Sequence, residues 1–347
     1  MYVVLIGLGM VSDTYINAIA SSNGKLSLWG IYSRNANARA SFATKLKSKT
    51  GATVRCYSSI EEIANDADVD MVVLATPPNA RLEIIEILSA AGKPILTEKP
   101  LERNSVEARK IVELCEARDV PLGVMLQQRT HPIVRSVHSR LRSREFGAVS
   151  FVRIEVPWWR PQSYYDVQGR GSYARDGGGV MISQAIHTFD LALWLVGDVH
   201  SVHGFARTSL FHKMESEDLV TAGLEFKNSA IGSFTATTAA YPGAAESIEI
   251  HCERASLRIV SGTLQVNWQN GERETTGEEL TTGSGADPMA FSCDLHRTVM
   301  LNFADAISRG KNPEITGREA MAVHNLIDAI ALSSREGRGV LIEEIAA

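Results

Sequence analysis

His187 is the side chain in this 347-residue sequence whose setting most suggests proton chemistry. It lies in GGGVMISQAIHTFDLALW (Gly177–Trp194), where three glycines open an apolar pattern with helical spacing. On an α-helix, Ser183 and His187 are four apart and share a face, as do His187 and Asp190 at three apart. An imidazole with an ordinary pKa of about 6.5 can take a proton near neutral pH. Ser183 could orient that imidazole or bond a substrate, whereas Asp190 fits a structural partner better than a base. The glycines suit a place where backbone crowds a ligand or takes positive φ. A core histidine bonded to a neighbouring helix would give the same local pattern.

A second candidate comes from LTEKPL (Leu96–Leu101), where Glu98 and Lys99 follow a short apolar run. Pro100 stops that run and keeps Lys99 out of helical geometry. An ammonium there could stabilise a developing alkoxide. A solvated turn reads the same way, so the meaning of Lys99 depends on where the run ends. The opposite division of labour, with Lys99 as base and His187 as orienter, stays open.

The third feature is GLGMVS (Gly7–Ser12), after YVVLIG and before a helical pattern. Gly7 permits a tight turn, and a bare Gly9 lets a pyrophosphate approach free N–H groups at a helix N-terminus. Ser12 stands where a third glycine is usual. Leu8, Met10 and Val11 complete the loop. The second apolar run ends YSRN, so Ser33 and Arg34 occupy the place of the acidic residue that would select NAD. A hydroxyl and a guanidinium suit a 2′-phosphate, which favours NADP over NAD.

The elements that must carry these residues alternate regularly. Strands are expected at Tyr2–Gly7, Lys25–Ser33, Val54–Tyr57, Asp70–Thr76, Pro94–Glu98 and Pro121–Leu126. Helices are expected at Met10–Ser22, Asn37–Lys49, Ser59–Asp66, Asn79–Gly92 and Ser105–Asp119. Such alternation means a doubly wound parallel sheet with right-handed crossovers, placing Gly7 and Lys99 on its ligand-binding edge. After Arg129 the pattern changes. One helix (His131–Arg144) precedes alternating strands at Val149–Val156, Val199–Arg207, Asp218–Phe226, Ala230–Thr238, Ser247–Glu253 and Ala255–Gly262. These predict a large open, mainly antiparallel sheet, whose broad face suits self-association into a dimer or tetramer. Gly271–Asp287 reads as a polar mobile loop, followed by helices at Met289–Arg309 and Arg318–Arg335. The expected domains are 1–126, dinucleotide-binding, and 127–347, substrate-binding and oligomerisation, with the last segment free to pack back on the first.

Composition agrees with a globular protein: 44% hydrophobic, 22% charged, net charge −5. An acidic balance argues against a nucleic-acid partner. The four cysteines show no ligand or CxxC spacing, so free thiols in a reducing compartment are expected. The nine histidines show no metal-ligand spacing. No run is long enough for a membrane span, and the first residues lack a leader's charged start, which points to the cytoplasm.

Taken together, GLGMVS, ATPPN (Ala75–Asn79), TEKPL and the glycine–histidine stretch resemble the glucose–fructose oxidoreductase/inositol dehydrogenase (Gfo/Idh/MocA) family. The likeness extends to AMAVHNLIDAIALSSREGRGVLI (Ala320–Ile342), which resembles the family's closing helix and strand. It implies a Rossmann domain joined to an α/β domain, and oxidation of a sugar or cyclitol hydroxyl with NAD or NADP. It also implies that Lys99 and His187 face the reacting carbon, with Thr76, Pro77, Asn79, Glu98 and Gln127 near the cofactor. Ser183 stands where the family commonly has aspartate, and Arg81 where it often has histidine. QQRT (Gln127–Thr130) keeps Arg129, a substrate-binding candidate, but loses an aromatic. The segment Val156–Gly179 resembles a substrate loop, which implicates Trp159, Arg160 and Arg175, with Arg170 as a further anion-gripping candidate. An NAD-dependent glycosidase using transient oxidation, and a non-catalytic nucleotide or sugar sensor, are the alternatives.

Overall fold

The computed structural model describes residues 1–51, 53–278 and 292–346. It divides into two compact units: Met1–Glu102, Val106–Gln127 and Ser292–Ala320 form the first, and Arg103–Ser105, Gln128–Phe291 and Met321–Ala347 the second.

In the first unit, β1 (Tyr2–Ile6), β2 (Ser27–Tyr32), β3 (Arg55–Cys56), β4 (Met71–Leu74), β5 (Ile95–Thr97) and β6 (Leu122–Val124) pair in parallel. Their order is β3-β2-β1-β4-β5-β6. The unbroken apolar runs of β1 and β4 belong at the centre, and Val3–Ile6 and Met71–Leu74 are fully buried. Helices α1 (Ser12–Ala20), α2 (Ala36–Thr50), α3 (Ile60–Asn65), α4 (Arg81–Ala90) and α5 (Ser105–Ala117) make the crossovers. Asn35 and Ser59 cap α2 and α3 by accepting from Ala38 N and Glu62 N. The later helix α9 (Asp294–Ser308) also belongs to this unit. Its Phe303 lies where a side chain on Gly123 would stand, 2.7 Å from an added Cβ.

The second unit is built on a nine-stranded sheet. Its strands are β7 (Val149–Pro157), β8 (Val199–Arg207), β9 (Leu219–Phe226), β10 (Ile231–Thr237), β11 (Ser247–Cys252), β12 (Ala255–Val260), β13 (Thr263–Trp268), β14 (Arg273–Gly277) and β15 (Val340–Leu341). The order is β14-β13-β12-β11-β7-β10-β9-β8-β15. All pairs are antiparallel except β7 with β10. The helices are α6 (Pro132–Arg142), α7 (Gln162–Tyr165), α8 (Ile186–Val196), most of α10 (Gly317–Glu336) and α11 (Glu343–Ala346). A core of inward strand positions and α8 forms around Phe189, whose ring stacks on Phe234 at 3.8 Å.

Three expectations need correction. β13 and β14 extend the sheet into sequence with no expected strand. TLQVNW alternates inward and outward, but RETTG is a polar edge strand with no apolar signal. The mobile loop placed at Gly271–Asp287 is therefore a strand over Arg273–Gly277, while 279–287 lie outside the described residues. The expected helix from Met289 starts at Asp294, with 289–291 likewise outside. Finally, Met181–Ala185 forms a π-helical turn before α8, so Ser183 and His187 are separated by a wider turn than an α-helix gives.

Candidate functional site

The β1–α1 turn is shaped by what surrounds Gly7. Its φ is +102°, and an added Cβ would lie 2.6 Å from the Ala75 carbonyl group. Gly9 is different: nothing lies within 4 Å of its would-be Cβ. Gly7 N donates to Tyr32 O at 2.9 Å, which fixes the turn to β2. The next four amides, Leu8 to Val11, donate to no acceptor among the described residues. No side chain caps α1 either. Ser12 folds back, its hydroxyl donating to Gly9 O at 2.6 Å, so the residue replacing glycine serves the turn itself. Gly9 and Met10 are exposed, Leu8 and Val11 half-buried. Open amides at a helix N-terminus beside a sheet's switch point are an arrangement with the chemistry to take an anion.

At the end of β2, Ser33 is half-buried and Arg34 exposed, with no ion pair for Arg34 among the described residues. Arg39, which sequence reading passed over, donates to Ser33 O and lies over the Tyr32 ring at 5.7 Å. Ser33 thus has the Arg39 guanidinium on its carbonyl and Arg34 next to it in sequence. Thr76 and Pro77 are half-buried after β4, and Asn79 is exposed on the 3₁₀ turn Pro78–Ala80. The Thr76 Oγ1 atom is buried with no hydrogen-bond partner.

The β5 end carries Glu98 and Lys99 as expected, but the two side chains have different surroundings. Lys99 is half-buried. Glu98 is buried and faces the protein: Tyr15 Oη donates to its Oε1 at 2.8 Å, Lys99 N to its Oε2 at 3.0 Å, and His296 Nε2 lies 3.8 Å away. Burial pushes the Glu98 pKa up, but the His296 bond and charge, the Lys99 charge and the Tyr15 bond outweigh it and hold the carboxyl down at about 2. Arg81 lies 1% exposed behind this loop. Its Nε and Nη2 donate to Thr76 O at 3.1 and 2.7 Å, and Nη1 donates to Glu98 O and Pro100 O. One guanidinium therefore ties the β4 end to the β5 end. Burial pulls it down to about 10, with Glu98 and Tyr15 opposing, so it stays charged at neutral pH. Sequence reading flagged Arg81 only as a departure; its donor set explains the residue.

In the second unit, the Gly177–Gly179 turn is equally demanding. Gly177 has φ +86°, and a Cβ on Gly179 would fall 1.7 Å from Glu217 O. Here the amides are taken. Gly179 N and Met181 N donate to Glu217 Oε1 at 3.1 and 3.2 Å, and Val180 N to Glu217 O at 2.8 Å. Burial raises the Glu217 pKa, with these backbone bonds opposing. Nothing in the sequence around Glu217 marks it as this partner. Ser183 and His187 are both half-buried, Ser183 on the π turn and His187 on the first turn of α8. Asp190 is paired with Arg129: Nε and Nη2 donate to its two oxygens at 2.8 and 2.5 Å, all buried. That pair gives Asp190 the structural role expected of it and engages the Arg129 guanidinium. Gln127 is buried on the 3₁₀ turn Gln127–Thr130.

The loop after β7 is anchored by a buried pair. His212 Nδ1 meets Asp218 Oδ2 at 2.6 Å, and its Nε2 meets Arg160 O at 2.8 Å. Tyr165 Oη bonds Thr238 Oγ1 at 2.6 Å. Trp159 is half-buried, edge-on to Tyr241. Arg160 is buried against the rings of Trp158 and Tyr164 and donates to Trp159 O. Arg175 folds onto its own loop, donating to Gln168 O at 3.0 Å and lying 3.8 Å from Asp176 Oδ1. The four cysteines are free. Among the described residues, no three His, Cys, Asp or Glu side chains are grouped to hold a metal, and no helix is long and apolar enough to cross a membrane.

A parallel sheet with a glycine turn at its first strand–helix junction defines the dinucleotide-binding Rossmann class. Residues 1–126 match the model of an oxidoreductase family with NAD-binding Rossmann fold, and residues 134–258 match the GFO/IDH/MocA C-terminal domain. The chain belongs to the GFO/IDH/MocA family of oxidoreductases. The structure is similar to the WlbA dehydrogenase of Bordetella pertussis in complex with NADH and UDP-GlcNAcA: TM-score 0.84, 27% identity, covering 98% of this chain and 97% of that one. Among sequences, D-apiose dehydrogenase of Rhizobium rhizogenes is 24% identical over 82% of this chain and 83% of its own length. Myo-inositol 2-dehydrogenase of Thermotoga maritima is 23% identical over 97% and 99%.

Proposed function

We propose that this protein is an NAD(P)-dependent dehydrogenase acting on a hydroxyl-bearing carbon of a sugar, cyclitol or sugar derivative, with NADP preferred. The observation that carries the reading is the row of four backbone amides, Leu8 to Val11, without acceptors at the start of α1. The family and the dehydrogenase relatives support it. Gly7, Leu8, Gly9, Met10 and Val11 would hold the pyrophosphate, and Ser33, Arg34 and Arg39 a ribose 2′-phosphate.

The bound nicotinamide supplies the hydride acceptor or donor. On the chain's side, His187 takes the hydroxyl proton and the Lys99 ammonium stabilises the oxyanion left behind. Ser183 bonds the substrate or steadies the imidazole. The exposed face of the large sheet, with Phe205, Leu219 and Ile231, supports a homo-oligomer. The test is a panel of free sugars, cyclitols and nucleotide sugars offered with each cofactor, read at the nicotinamide absorbance band. Turnover of at least one, faster with NADP, is expected. Cofactor binding without turnover on any member would contradict the reading.

A further inference from the structure

The structure gives the three arginines of the loop after β7 different partners. Arg160 is buried against rings, and Arg175 is committed to Gln168 O and Asp176. Arg170 is left with a different set. Its Nη1 donates to Tyr164 Oη at 2.8 Å, and its guanidinium carbon lies 4.5 Å from the Tyr164 ring centre. Its Nε is buried with no hydrogen-bond partner, and among the described residues no carboxylate pairs with it.

The same tyrosine hydroxyl meets Gln184, whose Nε2 donates to it at 3.3 Å. Gln184 is 6% exposed, and its Oε1 is buried with no partner. Turning the amide over does not cure this, because Nε2 then becomes the atom without a partner. Two buried polar atoms on either side of Tyr164 Oη thus lack the groups their chemistry demands. A buried N–H of a guanidinium with no counter-charge is costly, and an oxyanion answers it best, with bidentate geometry. The amide beside it answers to a hydroxyl. Gln184 stands on the π turn between Ser183 and the α8 turn bearing His187.

We propose that Arg170, Tyr164 and Gln184 form a subsite for a negatively charged substituent of the substrate, so the preferred substrate is an anionic sugar rather than a neutral one. This rests on the dehydrogenase reading for the identity of the ligand as a sugar. With a net charge of −5, the protein as a whole does not attract anions, so any preference must be local. A sugar carboxylate and a sugar-linked phosphate present the same chemistry.

The test is calorimetric titration of the protein saturated with NADP, with glucose, glucuronate, UDP-glucose and UDP-glucuronate as probes, on wild type and Arg170→Gln. Binding is read rather than turnover, so a failure of dehydrogenation would strike the proposed function and leave this result intact. The expected outcome is that at least one anionic probe binds about tenfold or more tighter than glucose. In Arg170→Gln that ratio falls to about one, with a cooperative melting transition retained as the sign that the variant is folded. The advantage should also shrink with added salt. Glucuronate alone gaining identifies the carboxylate as the source; UDP-glucose alone gaining identifies the phosphate. No anionic probe binding tighter than glucose, or an equal ratio in Arg170→Gln, overturns the proposal.

Discussion

The two glycine turns of this molecule look alike in sequence and differ in what their amides face. At Gly7–Val11 the turn presents four N–H groups that no described residue accepts. At Gly179–Met181 the comparable groups are filled from within, by the side chain and carbonyl of Glu217. Both turns need glycine for steric reasons, yet one leaves its amides open and the other has them filled. The first is the turn we propose as a binding device. The second is a brace that sets the course of the helix bearing His187.

The largest effect expected from this contrast is at the brace. Gly179→Ala places a methyl group inside the van der Waals radius of Glu217 O and should cost more than about 4 kcal/mol, read as loss of a cooperative unfolding transition for the second unit. Gly7→Ala should cost about 1–3 kcal/mol through its positive φ alone, and the crowding at Ala75 adds to this. It should abolish cofactor binding as well.

Glu217 comes next. Glu217→Ala leaves the buried N–H groups of Gly179 and Met181 without their acceptor, at about 1–3 kcal/mol each. Glu217→Gln keeps an acceptor and should cost less than about 1 kcal/mol at pH 4. The pH dependence has a fixed sign. Burial raises the carboxyl's folded pKa above its ordinary 4.5, so its contribution is whole below that value and is lost as pH rises through the folded pKa. Urea unfolding from pH 4 to 8 should therefore show Glu217→Gln gaining on wild type; a gap that widens against the variant would contradict the brace.

The smallest stability effect should come from Gly9→Ala, which meets open space at a residue without positive φ. Its melting midpoint should match wild type while the dissociation constant for NADP rises about tenfold, or about 1.4 kcal/mol. That split between intact fold and weakened binding sharpens the contrast, because no glycine of the second turn should show it.

Much of this was legible from the residues. Apolar runs ending at Gly7 and before Glu98 gave the parallel sheet, because fully buried strands need no polar alternation. The glycine spacing gave both turns. The sequence could not tell them apart, since the partner that fills the second, Glu217, lies some 40 positions downstream in an unremarkable ESED stretch (Glu215–Asp218). Long-range pairing of that kind leaves no local mark. The same holds for Tyr15 and His296, whose meeting at Glu98 turns that carboxylate toward the protein. The π turn was hidden because nothing in MISQA distinguishes it from an ordinary helical turn. β14 escaped notice because an edge strand can be wholly polar.

The most direct measurement is the turnover number of His187→Ala and Lys99→Ala, each saturated with NADP and with the best sugar found for wild type, followed across pH. Both should fall by about a hundredfold or more, and the acidic limb expected of wild type should be absent when the imidazole is removed. Wild-type rates in both variants, with that limb unchanged, would contradict the assignment of proton transfer and charge stabilisation to these two side chains.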